Sequence, residues 1–300
     1  MAVFGTGDLK NLPRSIADGL VKDTQTGSTV AALSAREPMR FGNVDIITFN
    51  GLPRAEFVGE GDQKSSTGGS FDAVTAKPRK AQVTMRFNQE VKWADEDHQL
   101  GVLAELAAAG GEALARALDL GLYHRLNPLT GTAISGWDNY LNATTKRIET
   151  GDGPELEIEK AVGLLVTTQK AVNGIALDPS YAWALATDRY TNDGRKKFPE
   201  LGLGVDISAF NGIRASVSNT VSGRPESDTD LRTRAIVGDF NSGIRWGVQR
   251  DIPVELIEHG DPDGQGDLKR KNQIALRLEI VYGWYVFTDR FSVVETPAGP

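Results

Sequence analysis

"FVGEGDQKSSTGGSF", residues Phe57 to Phe71, separates two runs that read as strands and sets a single lysine, Lys64, among glycines, serines and small polar residues. On its N-terminal side stands "VDIITFNGLPRAEFV" (44–58), and on its C-terminal side "FDAVTAKPRKAQVTMRFNQEV" (71–91). Both are enriched in β-branched and aromatic residues, which fit a pleated, half-buried surface. In the second run Val83, Met85 and Phe87 alternate with Thr84, Arg86 and Asn88, the two-residue period of a strand with one face covered. The runs therefore predict the arms of a long hairpin. The quoted ribbon is too long and too rich in glycine for a tight two-residue turn, and it predicts a projecting tip.

Ahead of the hairpin, Met1 to about Arg36 is rich in Gly, Thr and Ser with only short apolar clusters such as "LVKD" and "VAAL". It reads as an extended arm with too few apolar residues to pack on its own domain. Behind the hairpin, "WADEDHQLGVLAELAAAGGEALARALDLGLYHRLNP" offers Asp95 as an N-cap and Leu103, Leu106, Leu114, Leu118 and Leu122 near helical spacing. One long helix is expected over about 95–126, weakened at Gly110-Gly111 and ended before Pro128. A connector rich in Gly, Thr and Asn runs through Gly153, and 155–173 predicts a second helix with Ile158, Val162, Leu165 and Val166 on one face. From 175 to 222 an apolar strand, a Pro-started helix and a further strand, "GIRASVSNTV", predict an α/β lobe. Three strand runs close the chain, at 235–237, 244–258 and 273–294; in the last, Ile274, Leu276, Leu278 and Ile280 share one side and Arg277 and Glu279 the other.

A chain of 300 residues can form one large domain or two smaller ones, and its 40% hydrophobic and 24% charged residues are those of a globular protein. A net charge of -7 and a pI near 5.2 argue against holding nucleic acid by phosphate neutralisation. With no cysteine there are no disulfides and no thiolate metal sites, so stability rests on packing and assembly. No apolar run approaches the ~18 residues of a membrane helix, and the start lacks the basic-then-apolar pattern of a secretory signal, so the expected location is the cytoplasm in which it is made.

Catalytic motifs are missing. Neither a phosphate-cradling glycine loop nor a G-x-S-x-G elbow occurs, and His98, His124 and His259 stand far apart, reading as surface or helix-end residues rather than a metal set. No cofactor is expected. "DPDGQGDLKRKN" (261–272) partly imitates a calcium loop through Asp261, Asp263 and Asp267, but Gln265 and Asn272 occupy positions that need stronger oxygen ligands; a solvated turn is the simpler reading. Trp284 lies in the most apolar strand and reads as core, whereas Trp137, in "ISGWDNY", fits a neighbouring subunit as well as self-packing. An α/β enzyme with an acidic pocket, using Asp178 or Asp239, remains open as an alternative.

The order of elements, arm, long hairpin, long helix, α/β lobe and returning strands, resembles the major capsid proteins of tailed bacteriophages, the Hong Kong ninety-seven fold. The likeness rests on "AEFVGEGDQKSSTGGSF" with "KAQVTMRFNQEV" as the extended loop, "ALARALDLGLYHRL" as the end of the spine helix, and "ATDRYTNDGRKKFPELG" with "FNGIRASVSNTV" from the axial lobe. "AIVGDFNSGIRWGVQRDIPVELIEHGD" and "NQIALRLEIVYGWYVFTDRFSVVE" look like the closing strands. The resemblance implies an α+β fold divided into an N-terminal arm (1–40), an extended β-hairpin loop (41–92), a peripheral domain with its spine helix (93–153), an axial α/β domain (154–235) and closing strands of both domains (236–300). It also implies hexamers and pentamers of this chain in an icosahedral shell around double-stranded DNA, without sequence-specific binding and without a membrane. A separate scaffolding protein, a portal and decoration proteins are the implied partners, with assembly in the host cytoplasm and the virion as destination. An encapsulin-like compartment shell is the structural alternative.

In the cross-linking members of that family, a loop lysine attacks an asparagine side chain of another subunit, helped by a glutamate seven residues after the asparagine. By resemblance those roles fall to Lys64, Asn272 and Glu279. Seven is an odd number of residues, so on a regular strand Asn272 and Glu279 face opposite sides and the site would span subunits. The plainer reading makes Lys64 a surface ion-pairing residue and Asn272 a strand start.

Overall fold

The computed structural model describes residues 27–50, 55–66, 68, 70–98, 101–227 and 229–298. In chain order the elements are α1 (Thr29–Leu33), β1 (Val44–Asn50), β2 (Ser70–Asn88), α2 (Gln89–His98), α3 (Val102–His124), β3 (Arg147–Glu149), α4 (Pro154–Val166), β4 (Gly174–Leu177) and α5 (Pro179–Thr187). Then follow β5 (Ala209–Phe210), β6 (Ile213–Val217), β7 (Thr233–Gly238), α6 (Phe240–Gly243), β8 (Ile244–Ile257), β9 (Gln273–Val286) and β10 (Phe291–Glu295). They build two sheets, one ordered β1-β2-β9-β8 and antiparallel throughout, the other ordered β3-β10-β7-β4-β6-β5 and mixed.

The alternation read in the sequence explains the first sheet. Val83, Met85 and Phe87 stand opposite Leu278, Leu276 and Ile274. Together these apolar residues form one face, packed under Leu103, Leu106 and Leu114 of α3. β1 continues the hairpin outward, pairing from Val44 opposite Ala76 to Asn50 opposite Ser70, far beyond the helix that covers the sheet's root. The second sheet takes its cover from α4 and α5, through Ile158, Ala161, Leu165, Tyr181 and Leu185. The start of α5 follows the sequence reading, with the Asp178 carboxylate accepting the Ser180 N–H at 2.9 Å and Pro179 in the first turn.

Five expectations change. The single long helix is two: Gly101 adopts φ +69°, and Asp95, expected to cap the start, sits inside α2 and accepts the Val102 N–H that opens α3. The leucines that set the helical period, Leu103 to Leu122, all lie on the α3 side of the break, so periodicity could not show it. Conversely, Gly110 does not weaken α3; a Cβ there would come within 2.8 Å of Leu278, so glycine allows helix and strand to close together. The helix expected to reach 173 ends at Val166, where Gln169 takes φ +56°. The closing run 273–294 is two strands in different sheets, parted by a 3-10 turn at Thr288–Arg290.

The fifth change concerns the arm. Residues 1–26 lie outside the described residues, but the arm's end does not lie on something else: α1 docks in the chain's own core, with Val30 0% and Leu33 2% exposed. That core joins α1 and α3 to both sheets through Tyr282, Trp284, Ile236, Phe240 and Phe291. Trp137 likewise packs on its own chain, edge to face with Trp284 at 5.4 Å between ring centroids.

Candidate assembly site

The hairpin is the feature that a self-contained globule lacks a use for. Along it and at its base, Phe41, Ile47, Phe57 and Phe71 are 67%, 72%, 109% and 76% exposed. The tip is nonetheless shaped. Glu56 accepts the Ser65 N–H at 2.7 Å and the Ser65 hydroxyl at 2.6 Å, bonds that hold its carboxyl below the usual range. Between them Asp62 N–H closes a turn on Gly59 O at 3.2 Å, so Glu60, Asp62 and Lys64 are held outward and exposed.

The three residues singled out by resemblance occupy separate places. Lys64 is on the tip. Asn272 is not the first residue of a strand: it closes the 3-10 turn Lys269–Lys271 in the left-handed region at φ +53°, and β9 begins one residue later. Its side-chain amide donates to Glu90 Oε1 at 2.8 Å, and its carbonyl accepts the Gln89 N–H at 3.1 Å, tying the turn to the start of α2. Glu279 lies in mid β9, opposite Gln82, and pairs with Lys80 at 2.8 Å. Seven strand residues span about 23 Å, so within one chain neither Glu279 nor Lys64 is brought to Asn272. The carboxylate that does touch Asn272 is Glu90, whose Oε2 is buried without a hydrogen-bond partner. No sequence signal marked Glu90, which is 182 residues away from Asn272.

The acidic loop at 261–272 joins β8 to β9 and is largely exposed, as the solvated-turn reading has it, but it is also anchored. Arg86, with its side chain 2% exposed, donates to Asp263 Oδ2 at 3.1 Å and Oδ1, to Asp261 at 3.4 Å, to Gln273 Oε1 at 3.2 Å and to Gly266 O at 2.9 Å. A guanidinium thus takes the carboxylates that a calcium ion would have used. Among the described residues no group of three or more His, Asp and Glu side chains is placed to hold a metal. His259 is exposed, the side chain of His98 lies outside the described residues, and His124 is at a helix end but buried. Asp178 caps α5 and Asp239 caps α6 while receiving Arg290 and Asn173, so each is spent on structure. No described helix is long and apolar enough to cross a membrane.

Two solved chains share the architecture, and a further relative is similar in sequence. A solved chain from Mycobacterium phage Ogopogo is 46% identical, with a TM-score of 0.84 over 99% of this chain and 100% of that one. A solved chain from Gordonia phage Cozz is 27% identical, with a TM-score of 0.82 over 98% and 94%. The probable major capsid protein gp17 of Mycobacterium phage D29 is 23% identical across 88% of this chain and 82% of that protein. Residues 11–290 match the model of the phage capsid family. With a family match over most of its length and a solved relative that superposes end to end, the chain belongs to the phage capsid family.

Proposed function

We propose that this chain is the major capsid protein of a tailed phage, the repeated subunit whose hexamers and pentamers close the icosahedral shell around the DNA. The observation that carries this is the hairpin: several large apolar side chains stand in water on an arm whose root alone is covered. A monomer rarely leaves so much apolar surface open, and neighbouring copies would bury it. The acidic net charge of -7 suits an inner wall that must not bind packed DNA tightly. In this reading 93–153 belongs to a peripheral domain and 154–235 to an axial one, while scaffold, portal and decoration proteins act as separate partners in the host cytoplasm.

Electron microscopy and sedimentation of the expressed full-length chain, with its scaffold where needed, test the proposal. Closed particles or capsomer rings are the expected result. A stable monomer with the hairpin protected from proteolysis would overturn it, and particles filled with enzymes instead of DNA would favour a compartment shell.

Cross-linking between copies, Lys64 on Asn272 with Glu279 assisting, is a finer proposal. The lysine amine would attack the carboxamide carbon, and the amide nitrogen would leave as ammonia once a carboxylate had moved the proton. Denaturing electrophoresis of mature particles decides it, since a single band near 32.4 kDa removes it.

A further inference from the structure

A cavity of about 410 Å³ opens beside the root of the hairpin, with Lys77, Arg79, Trp137, Asp138, Asn139 and Trp284 among its lining. The Arg79 guanidinium lies 3.9 Å from the centre of the Trp137 ring and 4.7 Å from that of Trp284, so it is held against two indoles set 78° apart. No carboxylate stands within ion-pair distance of it among the described residues. Burial lowers the Arg79 pKa to about 10, and the charge of exposed Asp138 opposes that only in part. Arg79 Nε and Trp284 Nε1 are both buried without an acceptor, whereas Asn139 spends its amide on the backbone of Val286. Lys77 and Arg79 outnumber Asp138 around the opening, with the unused N–H donors buried behind it, and the planar guanidinium suits a planar anion such as a carboxylate.

The same chain holds out carboxylates elsewhere. Glu60 and Asp62 are exposed on the pinned turn of the tip, and neither has an ion pair among the described residues. They cannot fill their own chain's cavity, because β2 alone runs nine residues from Ser70 to Arg79, about 30 Å, and the tip lies beyond Ser70. We propose that the Arg79–Trp137–Trp284 cavity is a carboxylate-binding pocket occupied by Glu60 or Asp62 from the hairpin tip of a second copy. The pocket seats the tip, and its charge selects the acidic turn over other segments. This rests on the shell reading above, and because Gln273 and Tyr282, the partner of Arg79, are nine β9 residues or about 30 Å apart, a tip seated here would meet Asn272 only on a different copy.

Because the chain contains no cysteine, engineered pairs report without background. Full-length chain carrying Asp62→Cys and Lys77→Cys, assembled and then oxidised, should run as dimers and higher multimers that a reductant collapses to monomer. The yield should be at least tenfold above Asp62→Cys with Gln82→Cys, because Gln82 faces the opposite side of β2 from Arg79. Normal particles with no excess bridging over that control would overturn the docking and leave the shell reading standing. Absence of any particle or ring from the unaltered chain would overturn both. As a second measurement, particles with Glu60→Gln and Asp62→Asn should melt several degrees below unaltered particles; an unchanged melting temperature would overturn the carboxylate's role.

Discussion

Asp119 Oδ2 accepts the backbone N–H of Thr29 at 2.7 Å across 90 residues of sequence, and the same carboxylate takes the Thr29 hydroxyl at 2.9 Å, the Val30 N–H at 3.2 Å, the Thr220 hydroxyl at 2.8 Å and the Ser28 hydroxyl. A wholly buried acid from α3 thereby satisfies the free amide donors at the start of α1, and Tyr123 completes the set through the Thr29 hydroxyl at 2.8 Å. Asp119→Ala leaves several buried donors without an acceptor and should cost about 3 kcal/mol or more. The loss should appear first as faster limited proteolysis at 27–34. Unchanged cleavage there would mean that Val30 and Leu33 hold the segment by packing alone.

His124 sets a pH dependence of known sign. Its Nε2–H donates to Val221 O at 2.9 Å, and Nδ1 is buried with no partner, so the neutral ring fits and a second proton would have no acceptor. Burial lowers its pKa to about 4 from 6.5, outweighing the two carbonyls that pull it up. A pKa depressed in the folded state gives stability that is present above about 6.5 and lost as pH falls toward 4, on the order of 3 kcal/mol for the full shift. Asp119 runs the other way, since burial raises its pKa and its charged form is the one disfavoured on folding. Comparing His124→Gln with the unaltered chain at each pH isolates the histidine: the variant should lose less stability in denaturant titrations between pH 6.5 and 4. Parallel curves would contradict the assignment.

Arg86 should be irreplaceable by lysine. One ammonium cannot reach Asp261, Asp263, Gln273 and the Gly266 carbonyl together, whereas the planar guanidinium does. Arg86→Met leaves the Asp263 side chain, 12% exposed, without its cation and should destabilise by about 3 kcal/mol, with Arg86→Lys recovering less than half. Hydrogen exchange should show the 260–272 loop opening first; a loop as protected as before would show that the ion pairs do not anchor it.

Much of the framework was legible because its cause is local. Val83, Met85 and Phe87 against Ile274, Leu276 and Leu278 needed only a two-residue period, and Asp178-Pro179 needed only capping chemistry. What stayed hidden depends on partners distant in sequence. The polar arm looked unable to pack because the acid that receives it is on α3, and the anchoring of the exposed 261–272 loop was hidden because Arg86, 177 residues before Asp263, supplies its cation. The break at Gly101 was hidden for another reason, since the leucines that carry the helical spacing all lie after it. For the candidate site, the sequence located Lys64 on the tip but not the contacts of Asn272 and Glu279, whose neighbours Glu90 and Lys80 come from another element.

Two glycines offer a paired test of how tightly the chain returns on itself. Gly247 in β8 faces the segment after α1, where Glu37 N–H donates to Trp246 O at 2.8 Å; a Cβ at Gly247 would come within 2.2 Å of Glu37 O and 2.9 Å of Met39. Backbone cannot move aside as a side-chain tip can, so Gly247→Ala should displace residues 36–39 and destabilise by about 2 kcal/mol. Gly163, inside α4, meets nothing within 4 Å of its would-be Cβ, and Gly163→Ala should stabilise by about 0.5–1 kcal/mol through helix propensity alone. Thermal melts of the two variants should therefore move in opposite directions. A neutral Gly247→Ala would mean that the strand and the 36–39 segment are not in register in solution, and it would detach the end of the arm from the core that Asp119 organises.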